Sequence, residues 1–150
     1  MIREAETKDL PDLVELCRMF FEESGLQSTE SFCPESMRGF HARMLATPSA
    51  ITVVAESDGE VQGLLSAIIA PEFHNAAFLK GHEIYWYVVP EHRGSSIAVR
   101  LMRHVDEWMK SHGAREFCVS HMEKFNAESA SSLYRRMGFN PTTHVYAKVL

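Results

Sequence analysis

Val88-Val89-Pro90-Glu91-His92-Arg93-Gly94-Ser95-Ser96-Ile97-Ala98 joins two segments of different period, and its reading decides the fold. Upstream, Tyr85 to Val89 is aromatic and β-branched and reads as a strand that Pro90 ends. Downstream, Ile97, Leu101, Val105, Trp108 and Met109 recur at helical spacing. The turn between them therefore delivers backbone N–H groups to a helix N-terminus. Unpaired donors, the positive end of the helix dipole and the cation of Arg93 together favour a phosphate or pyrophosphate. The same spacing also suits an ordinary strand-to-helix connection with a solvated arginine.

Working outward, Ile2 to Glu6 reads as a strand, followed by a helix with Asp9 as its cap, Pro11 in its first turn and Ser24-Gly25 at its end. Pro34 to Leu45 reads as a second helix, closed before Pro48. Ile51 to Ala55 and Val61 to Ile69 flank Ser57-Asp58-Gly59-Glu60, the pattern of a hairpin, because Asp-Gly supplies the positive φ angles of a tight turn. Phe73 to Gly81 is expected to be a loop leading into the strand Glu83 to Val89. The helix from Ile97 runs to His112 with Gly113 as its stop, Phe117 to Ser120 is a strand, Glu128 to Met137 a helix ended by Gly138, and His144 to Val149 a last strand. The predicted order is β-α-α-β-β-β-α-β-α-β, a single α/β domain over residues 1–150 with a mixed sheet.

Composition agrees with one globular domain, with 45% hydrophobic and 23% charged residues in 150. Apolar runs such as Gly63 to Pro71 fall far short of the ~20 residues of a membrane span. The acidic start Ile2-Arg3-Glu4-Ala5-Glu6 is unlike a signal peptide, so a cytoplasmic protein is expected. A formal charge of −5 argues against nucleic acid as a partner and favours a cationic or neutral substrate. Cys17, Cys33 and Cys118 are odd in number and share no CxxC spacing, which predicts free buried thiols. Cys118 has no base near it in sequence and is not read as a nucleophile. His74, His82, His92 and His104 lie in different elements with no HxxxH or HExxH pair, so no metal site is expected.

Two motifs about 40 residues apart now carry a resemblance. Arg93-Gly94-Ser95-Ser96-Ile97-Ala98 resembles the Arg/Gln-x-x-Gly-x-Gly/Ala signature of the Gcn5-related N-acetyltransferases, the GNAT superfamily, with Ser96 in place of a glycine. Leu133-Tyr134-Arg135-Arg136-Met137-Gly138-Phe139 is similar to the Leu-Tyr-x-x-x-Gly-Phe motif near the end of that family. The resemblance spans nearly the whole chain and looks like the compact bacterial or phage-type members. It implies a mostly antiparallel central sheet flanked by helices, acetyl-coenzyme A as cofactor, and direct transfer of its acetyl group to a primary amine.

By this resemblance the backbone N–H groups from Arg93 through Gly94, Ser95, Ser96 and Ile97 to Ala98 would hold the pyrophosphate. The backbone of Tyr87, Val88 and Val89 would pair with the pantetheine arm like an added strand. The Ser96 hydroxyl would donate to a phosphate oxygen, or the added side chain would weaken the site. Tyr134 matches the tyrosine that protonates the departing thiolate, and amide donors near Val88 would stabilise the oxyanion. Glu83 or His82 would be the base, strand register and any bulge deciding which enters the cleft. Asn126 would contact the coenzyme or serve as the helix N-cap. Tyr85 and Tyr87 share a strand face, lining an acceptor pocket or packing in the core. The acceptor is a small-molecule or peptide amine, shaped by Gly25 to Glu35 and Phe73 to Lys80, and His144 to Leu150 offers an edge for a homodimer. The alternative is a weakly catalytic acyl-CoA-binding or protein-interaction module on the same fold.

Overall fold

A computed structural model describes residues 1–150. Strands β1 (Ile2–Glu4), β2 (Ala50–Ser57), β3 (Glu60–Pro71), β4 (Leu79–Val88) and β5 (Glu116–Cys118) form one sheet in the order β1-β2-β3-β4-β5. The first four strands pair antiparallel, and β5 joins β4 in parallel. Helices α1 (Leu10–Ser24) and α2 (Pro34–Ala46) cover one face, and α3 (Ile97–Ser111) and α4 (Ala127–Arg136) the other. No helix is long and apolar enough to cross a membrane.

Coverage on both faces explains why β2 and β3 are continuous apolar runs rather than alternating ones. Ile51, Val53 and Ala55 of β2 join Leu65, Ala67 and Ile69 of β3 under Leu101, Met102, Val105 and Met109 of α3. Val54 and Leu64 point the other way, onto Leu13, Leu16 and Cys17 of α1. The two hydroxyls in this buried layer, Thr52 and Ser66, satisfy each other at 2.9 Å. The β2–β3 turn has φ of 53° at Asp58 and 82° at Gly59, the primed turn that the Asp-Gly pair predicts.

Several expectations are corrected. β4 begins at Leu79, inside the segment expected to be a loop, because Lys80, Gly81 and His82 find partners on both β3 and β5. Asp9 precedes α1 without capping it: its carboxylate turns back to the Glu6 N–H at 2.7 Å and to Arg3 at 2.7 and 2.9 Å. Arg3 therefore holds the Asp9 carboxyl below the usual carboxylate range. Cys33 is exposed at the start of α2, whereas Cys17 is buried and Cys118 half-buried. The last strand does not form. His144 to Val149 has no ladder partner, and every residue from Asn140 to Leu150 is exposed. A β-prone segment makes a strand only where an edge receives it.

Gly81 shows how tightly β4 sits under α3. A Cβ there would lie 2.5 Å from Met109 Sδ and 3.2 Å from Phe117 Cδ2. The flexible Met109 tip can yield to alanine, but the branches of valine would also meet Phe117. Gly81→Val is expected to cost about 1–3 kcal/mol, read as a lower thermal midpoint.

Candidate active site

The parallel pairing of β4 and β5 ends at His82 and Cys118, and beyond it the two strands separate. A cleft of about 960 Å³ opens at this fork, bounded by β4 from Glu83 to Val88, the start of α3, Ser120 to Asn126 and the inner face of α4. The ladder pattern decides what its strand wall offers. Val89 N–H donates to Gln62 O at 3.0 Å, so in an antiparallel ladder the N–H groups of Val88 and Trp86 point away from β3, into the fork. Val89 is bonded to β3 and does not line the cleft, and the N–H of Tyr87 faces β3 by the same alternation.

A β-bulge puts Glu83 and His82 on opposite faces of the sheet. Ser66 pairs with Tyr85 and Ala67 with Glu83, which leaves Ile84 as the extra residue. The bulge puts Glu83 on the same face as Trp86, toward α4, and His82 opposite Ile68 on the other face. Glu83 lines the cleft and His82 does not. Glu83 Oε2 accepts from the N–H of Ser120 at 3.2 Å and from its hydroxyl at 3.3 Å. Burial pushes the Glu83 carboxyl up to about 7, with the two Ser120 donors acting in the opposite direction.

Tyr134 reaches the same point from α4. Its hydroxyl donates to Ser120 O at 2.5 Å, and its ring stacks on Trp86 with centroids 5.5 Å apart. Burial, reinforced by the charge of Glu83, raises the phenol above its ordinary range, so it is protonated at neutral pH. Ser120 thus connects both groups, through its N–H and hydroxyl to Glu83 and its carbonyl to Tyr134. The sequence reading missed it, since nothing local marks a serine just past a short strand.

Farther along the fork, Gly94 has φ of 80°, a conformation that favours glycine, and an added Cβ would meet nothing within 4 Å. The Ser95 hydroxyl accepts from Ile97 N–H at 3.3 Å and donates to His92 O at 2.6 Å, stapling the turn. The N–H groups of Gly94, Ser96, Ala98 and Val99 take no partner within the protein. They form a cradle of free donors at the N-terminus of a 15-residue helix, an arrangement whose dipole favours negative charge. Ser96 has φ of −75°, an ordinary right-handed value, so serine in the glycine position imposes no backbone strain. Gly94, Ser95 and Ala98 line the cleft, whereas Ser96 and Ile97 lie outside it.

Arg93 lines the cleft, and its guanidinium is already engaged. Nε donates to Val88 O at 2.9 Å, and Nη2 lies 2.8 Å from Glu23 Oε2. Asn126 sits at the N-cap position of α4 with φ of 52°, makes no side-chain cap, and is among the residues that line the cleft. Tyr85 and Tyr87 share the α1 face, both edge-on to Phe20.

The open edge of β4 and the cradle at its end fit an extended arm carrying a pyrophosphate, with a proton acceptor and a donor at the fork. Such a site suits an acyl-transfer enzyme whose donor is carried on an extended, pyrophosphate-bearing arm. A family model described as the acetyltransferase (GNAT) family matches residues 11–139, and the chain belongs to that family. It is an acetyl-CoA-dependent N-acetyltransferase. Over 150 residues it is 28% identical to an aminoglycoside N(6')-acetyltransferase type 1 of Klebsiella aerogenes, with 97% of this chain and 92% of the relative covered. A protein of the same name from Acinetobacter haemolyticus is 29% identical over 109 residues, covering 69% of this chain and 71% of its own length. Among solved structures, the apo aminoglycoside 6'-N-acetyltransferase of Acinetobacter haemolyticus superposes with a TM-score of 0.77 at 25% identity, covering 100% and 99% of the two chains. A predicted acetyltransferase of Clostridium acetobutylicum, solved with acetyl-CoA, shares the fold with a TM-score of 0.78 at 19% identity over 99% and 95% of the chains. These relatives do not favour the alternative of a weakly catalytic binding module.

Proposed function

We propose that this chain acetylates a primary amine directly, with Glu83 taking the proton of the attacking amine and Tyr134 giving one to the departing thiolate. The observation that carries the reading is the bulge at Ile84, which brings the Glu83 carboxylate to the fork beside Tyr134. Acetyl-CoA supplies the acetyl group as a thioester, the activated form that an amine attacks. The cradle from Gly94 to Val99 would hold its pyrophosphate, and the β4 edge at Trp86 and Val88 would take its pantetheine arm. One of these two N–H groups, Trp86 or Val88, both aimed into the fork, would donate to the developing oxyanion while the other pairs with the arm.

Glu83, with its carboxyl near 7, is a base poised around neutral pH, where a group can both hold and release a proton. Tyr134 keeps its proton through that range, and passing it on requires breaking its bond to Ser120 O. Tyr134→Phe is therefore expected to lower kcat about tenfold or more while leaving the affinity for acetyl-CoA unchanged. Unchanged turnover in stopped assays of thiol release would remove Tyr134 from the mechanism.

The acceptor in this reading is an amine of the aminoglycoside class. Its support is the coverage of the relatives named for that activity, together with a net charge of −5 that suits a polycationic substrate. Thiol release from acetyl-CoA is to be measured against a panel of aminoglycosides and of peptides with free N-termini. Turnover with aminoglycosides supports the assignment, and turnover with peptides alone overturns it.

We infer also that two copies associate through the C-terminal segment. Val145, Tyr146, Val149 and Leu150 are all at least 78% exposed and leave an apolar segment with no strand to pair with. Light scattering on the full chain should give a dimer, and deletion of residues 144–150 a monomer. A monomeric full chain at micromolar concentration would refute this.

A further inference from the structure

We propose that Glu23 is a positioning residue for coenzyme binding: it holds the Arg93 guanidinium on the last carbonyl of β4 and thereby fixes the anion cradle relative to the open strand edge. The contacts converge from three elements. Glu23, in the last turn of α1, accepts from Arg93 Nη2 through both carboxylate oxygens, at 2.8 and 3.0 Å, and from the hydroxyl of Tyr87 on β4. Arg93 folds back over the turn at Pro90–His92 so that Nε meets Val88 O at 2.9 Å, closing the segment from Val88 to Arg93 into a ring. Its guanidinium carbon lies 5.2 Å from the centroid of Tyr87 and 6.0 Å from that of Phe125. Planar stacking with a forked donor set is what arginine provides and lysine does not.

The consequence follows from where the ring sits. Val88 is the end of the strand edge, and Gly94 begins the cradle. A coenzyme bound to both must find them at a fixed separation, and affinity is lost whenever that separation has to be set at the moment of binding. The arginine of the signature would then act through Val88 and Glu23, with the phosphate contacts left to backbone N–H groups.

The opposite reading, in which Arg93 contacts phosphate and Glu23 merely competes for it, predicts the opposite sign. This inference rests on the coenzyme spanning the strand edge and the cradle. Acetyl-CoA affinity is therefore measured by calorimetric titration of the wild type, Glu23→Gln, Arg93→Lys and the double variant, beside thermal unfolding of each. Glu23→Gln and Arg93→Lys should each weaken binding about three- to tenfold, and the double variant should bind no worse than the weaker single one. In thiol-release assays with acetyl-CoA varied, Glu23→Gln should raise the KM for the coenzyme with little change in kcat. Tighter binding by Glu23→Gln would overturn the proposal, as would unchanged binding with a lowered unfolding midpoint, or additive losses in the double variant. A wild type that does not bind acetyl-CoA would overturn the spanning reading and this inference together, whereas wild-type binding with an indifferent Glu23→Gln overturns this inference alone.

Discussion

Glu83→Gln lowers kcat/KM by about 100-fold in the expected result and removes the ionisation near pH 7 from the rate profile. The substitution is close to isosteric, and the amide oxygen can still accept both Ser120 donors, so the fork keeps its shape while losing its proton acceptor. In the wild type, activity should rise through pH about 7 as Glu83 ionises, because burial holds its proton to that value. Acetyl-CoA affinity should not follow, since the cradle and the β4 edge do not use the Glu83 carboxyl. A variant that turns over at the wild-type rate with its neutral limb intact would rule Glu83 out as the base.

The same substitution has a second large effect, on stability, through a group on the other face of the sheet. His41 is fully buried under Phe40 and Tyr85, its Nε2 3.3 Å from Cys17 Sγ and its Nδ1 without a partner in the protein. Burial lowers its pKa from 6.5 to about 4 and raises the Cys17 thiol to about 12, so the pair is neutral and the thiol is not a nucleophile. Because the unfolded chain protonates His41 first, its contribution is complete above pH 6.5 and is lost as pH falls toward about 4. Glu83 has the opposite sign. Its folded form keeps a proton up to about 7 while the unfolded chain releases it near 4.5, so stability rises as pH falls through that range.

Between pH 4.5 and 6.5 the two effects offset each other, at about 1.4 kcal/mol per pH unit for each group. The wild type should therefore be nearly indifferent to pH there. Glu83→Gln should lose up to about 3 kcal/mol between pH 6.5 and 4 and be more stable than the wild type at pH 8, where the buried charge is gone. Asp9, held below 3.8 by Arg3, enters only below that window. Urea denaturation midpoints across pH for the two proteins decide the matter, and parallel curves would refute it.

A carboxyl whose proton is held more tightly in the folded chain lowers stability once it ionises, and here its position traces to one irregularity in a strand. Without the extra residue at Ile84, alternation would have placed Glu83 with Tyr85 and Tyr87 on the α1 face and His82 on the α4 face. The sequence reading could name both residues and anticipate that a bulge would choose between them. It had no means of choosing, because register is a property of two strands.

The sequence alone determined what depends on neighbours along the chain. The period change at Pro90 and the free N–H groups at the start of α3 arise within a dozen residues, so the strand–turn–helix was legible, as was the Asp58-Gly59 hairpin. The helix that carries Tyr134 was legible for the same reason. The tertiary structure decided what depends on partners distant in sequence. It engaged Arg93 with Glu23, 70 residues away, brought Ser120 between Glu83 and Tyr134, and left His144 to Val149 without an edge to join. Helical turns and tight loops satisfy their hydrogen bonds locally, whereas a strand, an ion pair or a buried carboxylate takes its state from whatever the rest of the chain places against it.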